Sequence, residues 1–197
     1  MAIDYRSQSP QILADFLSYH ETIKAHSQRT VDEYFLDLRN FFRYIKQLRD
    51  PVLRDTPFDQ IGIMDVDLSL IKTITLSDIY GYMTYLSRDR VQHQNCENSN
   101  KGLNAASRAR KLATIRSFFN YLCNKVHLLE ENPCKDIDSP KQMKSLPRYL
   151  TLEDSLSLLD AVDGKHKERD FCIITLFLNC GLRISELIGL NLSDIQD

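Results

Sequence analysis

Arg183 and Glu186 stand three residues apart in "LFLNCGLRISELIGLNLSDIQD" (176–197), just beyond a glycine. Side chains three apart on a helix are neighbours, so the carboxylate can accept from the guanidinium and fix its direction. A guanidinium held that way is suited to gripping a phosphate through two hydrogen bonds. The same spacing also describes an ordinary intrahelical ion pair, which stabilises a helix by about 0.3 kcal/mol. What separates the two readings is the mounting. Gly181 sits where a left-handed residue ends one helix, and the apolar run "CIITLFLNC" before it is expected to be a core helix. The expectation is a guanidinium held at a rigid, partly enclosed place.

A second group of cations lies upstream. In "SRARKLATIRSFFNYLCNKV" (107–126), Leu112, Ile115, Phe118, Phe119, Leu122 and Val126 form one helical stripe. At 100° per residue Arg110 and Arg116 fall away from it, so they are the first candidates for phosphate or groove contact. Lys111 and Arg108 follow; they lie nearer the stripe, at the N-terminal end of the helix. Arg29 and Thr30 open an earlier helix, where backbone N–H groups favour a phosphate; Thr30 reads equally well as a plain N-cap. Lys141, Lys144 and Arg148 suit a strap crossing a polyanion, or a solvated linker.

The overall charge of −2 does not advertise a polyanion binder, but its distribution is uneven. Residues 101–148 carry ten Lys and Arg against four acids, a net +6 set in a remainder of −8. Local fields govern phosphate binding more than the average does. Lys and Arg also solvate exposed helix faces, and charge alone leaves that reading open. The five cysteines, at 96, 123, 134, 172 and 180, show no zinc spacing and read as reduced cytosolic thiols. No apolar run reaches the roughly 18 residues that span a bilayer, and the N-terminus lacks signal-peptide character. A cytoplasmic protein is expected.

The elements that must position these residues are helices throughout. Ser9-Pro10 reads as N-cap and first turn of a helix running to about Ala25, with Leu13, Phe16, Leu17 and His20 on one face. Thr30-x-x-Glu33 has capping-box form ahead of Val31, Tyr34, Phe35, Leu38, Phe41, Phe42, Ile45 and Leu48. A third helix starts near Thr75, with Asp78 three residues on, and buries Ile79, Tyr82, Met83 and Leu86. The segment 51–74 has weak periodicity and yields no assignment; "RDRVQHQNCENSNKGLNAAS" (88–107) reads as a long loop. Thr151 caps another helix, with Asp154 at its third position and Leu156, Leu159 and Val162 buried, and Gly164 closes it. No strand is predicted.

Four segments carry a family resemblance. "GLRISEL…L…DI" resembles the first-arginine motif of the tyrosine recombinases, the phage-integrase and Xer-like enzymes. "RTVDEYFLDLRNFFRYI" and "ASRARKLATIRSFFNYL" resemble the second and fourth helices of that family's core-binding domain. "NPCKDIDSPKQMKSLPRYLTLED" is similar to its interdomain linker and the start of its catalytic domain. Each string is weak alone; their order, across about Arg29 to Ile195, is specific.

The resemblance implies an all-α chain: a four-helix core-binding bundle over 1–130, a linker over 131–150, and the first helices of a catalytic domain over 151–197. It implies duplex DNA as partner, with self-association of the full-length protein on DNA, and no small-molecule substrate or membrane. It implies cleavage without metal or cofactor, through a 3′-phosphotyrosyl link, with Arg183 on the scissile phosphate and Glu186 supporting it. The family's lysine, its His/Lys-x-x-Arg motif and its nucleophilic tyrosine fall beyond Asp197. The last tyrosine here is Tyr149, so these 197 residues are expected to bind DNA without cutting it. A non-catalytic DNA-binding accessory module and a helical protein-interaction domain are the rival readings. A tyrosine encoded downstream would separate the enzyme from the accessory module, and salt-dependent duplex binding would remove the interaction domain.

Overall fold

The computed structural model describes residues 4–90, 101–141 and 148–194, and every regular element among them is helical. The all-α class expected from the sequence is what is found. The chain divides into two compact units, residues 1–143 and 144–197.

In the first unit a short turn, α1 (Tyr5–Gln8), precedes α2 (Gln11–Ser18). Pro10, one residue later than expected, is the N-cap of α2; its carbonyl accepts from the Leu13 and Ala14 N–H groups, both at 3.0 Å. Past Ser18 the helix widens into a π turn, Tyr19–Ile23, and Ala25 then reverses the chain at φ +50°. Helix α3 (Gln28–Arg49) begins a turn earlier than its capping-box pattern implies. Ser27 supplies the cap, accepting from the Thr30 N–H at 3.4 Å, and Glu33 is released to bind elsewhere. A cap oxygen works only from the residue preceding the first turn, and Ser27 is placed there.

The apolar stripe of α3 meets α2, α5 (Leu76–Arg88) and α6 (Ala105–Asn124) in one core. Phe16, Phe35, Phe41, Phe42, Phe118 and Phe119 are all fully buried in it. Their rings interlock edge to face, with centroids 5.3 Å apart for Phe16–Phe118 and 5.6 Å for Phe42–Phe118. Burying one such ring stabilises the fold by about 2–3 kcal/mol, so this cluster is what holds the four helices at fixed rotation. Leu48 and Val126, expected on the stripes, are exposed because they lie in the last turn of α3 and beyond the end of α6.

The unassigned stretch after α3 contains two 3-10 turns and the short helix α4 (Leu68–Lys72). Cations of α3 clasp it. Arg43 donates to the Ile61 carbonyl at 2.8 Å, Lys46 to Gly62 at 2.8 Å and to Asp65, and Arg49 to Thr73 at 3.1 Å. Side-chain-to-backbone bonds replace an apolar stripe here, which is why no periodicity marked the segment. Thr75 and Asp78 form the expected capping box of α5. The central residues of the expected long loop, 91–100, lie outside the described residues. At the loop's base the Gly102 N–H donates to the Arg90 carbonyl at 2.8 Å, and Asn104 caps α6.

The segment expected to start the linker packs on this unit instead. Cys134 and Ile137 are buried in its core, and Arg116 donates to the Ser139 hydroxyl at 2.8 Å. Apolar side chains at 134 and 137 are the cause.

The second unit holds α7 (Leu152–Asp160), α8 (Lys167–Cys180), α9 (Ile184–Gly189) and a 3-10 turn, Leu192–Asp194. Thr151 and Asp154 form the expected capping box. The expected burial differs: among the described residues of this unit Val162 alone is buried, while Leu156 and Phe171 are 54% and 45% exposed. Helix α8, read as a core helix, packs on α7 among the described residues of its unit, too little to cover its circumference.

Candidate nucleic-acid interface

Arg183 is placed by two helix ends. Helix α8 stops at Cys180 because Gly181 takes the left-handed conformation (φ 61°, ψ 27°), its N–H donating to the Phe177 carbonyl at 3.1 Å. Two residues on, Arg183 is the N-cap of α9. Glu186 binds it twice: Oε2 accepts from the Arg183 backbone N–H at 2.7 Å and Oε1 from Nη1 at 2.9 Å. These bonds, the backbone one foremost, hold the Glu186 carboxyl below the usual carboxylate range. One carboxylate therefore starts the helix and aims the guanidinium. The expected partial enclosure is not found: the Arg183 side chain is 82% exposed, because no other element of its unit overhangs it.

The cations of α6 divide by their partners. Asp37, on the side of α3 that faces α6, is buried to 1% exposure. Lys111 Nζ reaches its Oδ1 at 2.5 Å, Arg110 Nη1 its Oδ2 at 3.1 Å, and the Thr114 hydroxyl donates to it at 3.1 Å. Lys111, expected as a phosphate contact, has its ammonium buried and committed to Asp37. Burial lowers its pKa, and Asp37 opposes that shift. Arg110 also binds Glu33 at 2.9 Å but stays 47% exposed, so part of its guanidinium can meet an outside anion.

Arg116, bound to Ser139, serves the packed end of the linker. Arg108 is half-buried, with an Nε that has no partner. Arg29, Lys141 and Arg148 are exposed, and Thr30 shares a 3.0 Å hydrogen bond with the Ser27 hydroxyl. Lys144 lies outside the described residues. The structure brings Arg108, Arg110, Lys111 and Arg116 onto one helix, but on different edges of it.

Two polar clusters escaped the sequence reading. Asp37 interrupts the apolar stripe of α3, as Lys111 borders that of α6; a charge of each sign at such positions was the available signal. His20, expected on one face of the first helix, is buried in the π turn, yet its bonds to His26 and Ser117 left no trace in spacing.

Comparison with known proteins covers nearly the whole chain. It is 47% identical over 188 residues to tyrosine recombinase XerC of Caldanaerobacter subterraneus subsp. tengcongensis, a match spanning 95% of this chain and 50% of that protein. Tyrosine recombinase XerC of Myxococcus xanthus is 37% identical over 192 residues, spanning 96% and 53%. Tyrosine recombinase XerD of Listeria monocytogenes is 29% identical over 190 residues, spanning 94% and 53%. The chain spans about half the length of the curated relatives it matches. No family model matches it, and no solved structure does. With one match after another running along the helical bundle, the 131–150 segment and the Arg183 turn alike, the chain belongs to the tyrosine recombinase family.

Proposed function

We propose that this chain supplies the duplex-gripping domain and the first phosphate-clamping arginine of a site-specific recombinase that acts on DNA in the cytoplasm. The observation that carries the reading is the Glu186 carboxylate, which ties both the backbone and the guanidinium of Arg183. A fork fixed at its root and open at its tip can take two oxygens of a phosphodiester. In the reaction the resemblance implies, a tyrosine oxygen attacks the scissile phosphorus. The bond to the 5′-oxygen breaks, leaving a 3′-phosphotyrosyl link and a free 5′-hydroxyl; strand exchange reverses the step. Arg183 would stabilise the charge that grows on the non-bridging oxygens. The nucleophile, the second arginine, the lysine and the His-type residue of that scheme match no position up to Asp197.

Of the candidate cations, Arg29, Lys141 and Arg148 are exposed and have no partner among the described residues, and are the first choices for backbone phosphates. Arg110 follows through its exposed side, then Arg116, Arg108 and Lys144; Thr30 contributes through the start of α3. Copies of the full-length protein would assemble on the bound duplex.

The test uses a nicked suicide duplex. The 197-residue chain should bind it with a salt slope that flattens by about one unit for each of Arg29→Ala, Lys141→Ala and Arg148→Ala. It should trap no covalent adduct, whereas a polypeptide extended to the relatives' length should trap one, about 10²–10³-fold more slowly with Arg183→Ala. An adduct on the 197-residue chain, or salt-independent binding, would refute the reading.

A further inference from the structure

A cavity of about 290 Å³ opens between the π turn Tyr19–Ile23 and the C-terminal half of α6. Lys24 and Lys125 line it from opposite elements, Asn120 and Asn124 offer amides, Ser117 a hydroxyl, and His20 closes it on the core side. No carboxylate lines it. Burial, then Asp15, raises the Tyr121 phenol; Asp15 is held by the Gln11 amide at 2.7 Å, and Glu21 is bonded to Tyr5. Two ammonium groups with only amide, hydroxyl and imidazole company form an electropositive concavity that a chloride-sized or larger anion would neutralise.

His20 makes the cavity more than a patch of surface lysines. It is 6% exposed, with Nδ1 3.3 Å from His26 Nδ1 and Nε2 3.2 Å from the Ser117 hydroxyl. A neutral imidazole has one N–H, so one of these bonds is donated by His20 and the other accepted. The groups facing it are Phe16 of α2, Tyr19 of the π turn and Lys24 just after it, His26, Tyr34 of α3, and Ser117 and Tyr121 of α6. None of them is an acid. Ser117 shares an edge of α6 with Arg110, about 10 Å further along the axis.

We propose that this cavity seats a phosphate group, bound by Lys24, Lys125, Asn120 and Asn124 and sensed by His20 through Ser117. The site stands on the cavity and does not rest on the DNA reading; a duplex backbone and a free phosphate ester present the same chemistry, and the experiment separates them. Burial, His26 and Lys24 hold the His20 pKa down to about 4. A seated anion supplies the missing counter-charge, so binding raises that pKa, and by reciprocity affinity rises as pH falls.

The experiment is an NMR titration of the full 197-residue chain with inorganic phosphate against chloride at matched ionic strength. Saturable shifts at His20, Ser117 and Lys125, with the His20 titration midpoint moving up, are expected. Lys24→Gln and Lys125→Gln should each weaken binding about tenfold, and Lys165→Gln on the second unit should not. A duplex arm separates the sources. If the backbone supplies the phosphate, the double variant weakens duplex binding, flattens its salt slope by about two units, and phosphate competes with DNA. If a free ester does, duplex affinity holds while phosphate binding is lost. Shifts that never saturate, or that persist in a folded double variant, overturn the proposal.

Discussion

Three side chains of α6 converge on the buried Asp37 carboxylate. Asp37→Ala leaves the Lys111 ammonium buried without a partner and should cost about 3–5 kcal/mol in chemical denaturation. Replacing the pair together, Asp37→Leu with Lys111→Met, should recover most of that loss. If the double variant is no better than the single, the charges are not paired as described. His20 makes the opposite statement about pH. Its folded pKa, about 4, lies below the 6.5 of an unfolded histidine, so the unfolded chain takes up a proton first as pH falls. Its contribution is complete above pH 6.5 and is lost between there and about 4, an effect of about 3 kcal/mol at most. Urea denaturation should show that slope in wild type and a shallower one in His20→Gln. Neither residue was legible in function-seeking terms, since a charge or an imidazole inside an apolar stripe declares its burial but not its partner. Arg183 and Glu186 were legible, because three-residue spacing fixes a helix contact before any tertiary fold exists.

Helices whose stripes are long, as in α3 and α6, could be read from spacing alone, and so could the Thr75 and Thr151 capping boxes, whose partners are three residues away. The segment between α3 and α5 could not. Its order comes from Arg43, Lys46 and Arg49 reaching backbone carbonyls up to 24 residues away, a pattern without a period. Helix starts slipped by a residue or a turn wherever two cap-forming residues lay close together, as at Ser27 and Thr30. The base of the 91–100 connection is a different case. Gly102 has φ +82°, and a Cβ there would lie 2.1 Å from the Ser87 carbonyl oxygen at the end of α5. Gly102→Ala must therefore shift backbone against backbone, and is expected to destabilise the first unit by at least about 2 kcal/mol. Amide hydrogen exchange should speed up at Leu103, which donates to Leu86, before it does in the middle of α3. Unchanged protection at Leu103 would mean the turn does not hold the two helices together.

The two units differ in how much core they own. The first buries a continuous aromatic and aliphatic cluster, whereas the second leaves Leu156, Phe171, Ile184 and Ile188 largely open. Residues 1–143 alone should melt cooperatively at the same temperature as in the full 197-residue chain. Residues 148–197 alone should bind a hydrophobic dye and show no sharp transition. A cooperative melt of the shorter piece would contradict the burial described. A stretch rich in proline and charge reads as linker, and the burial of Cys134 and Ile137 within it was not legible there. The Arg116–Ser139 bond ties this stretch to α6 as far along the chain as Ser139. Fully stretched from there to Thr151, the chain reaches about 40 Å. That length is an upper limit on how far Thr151 can lie from Ser139.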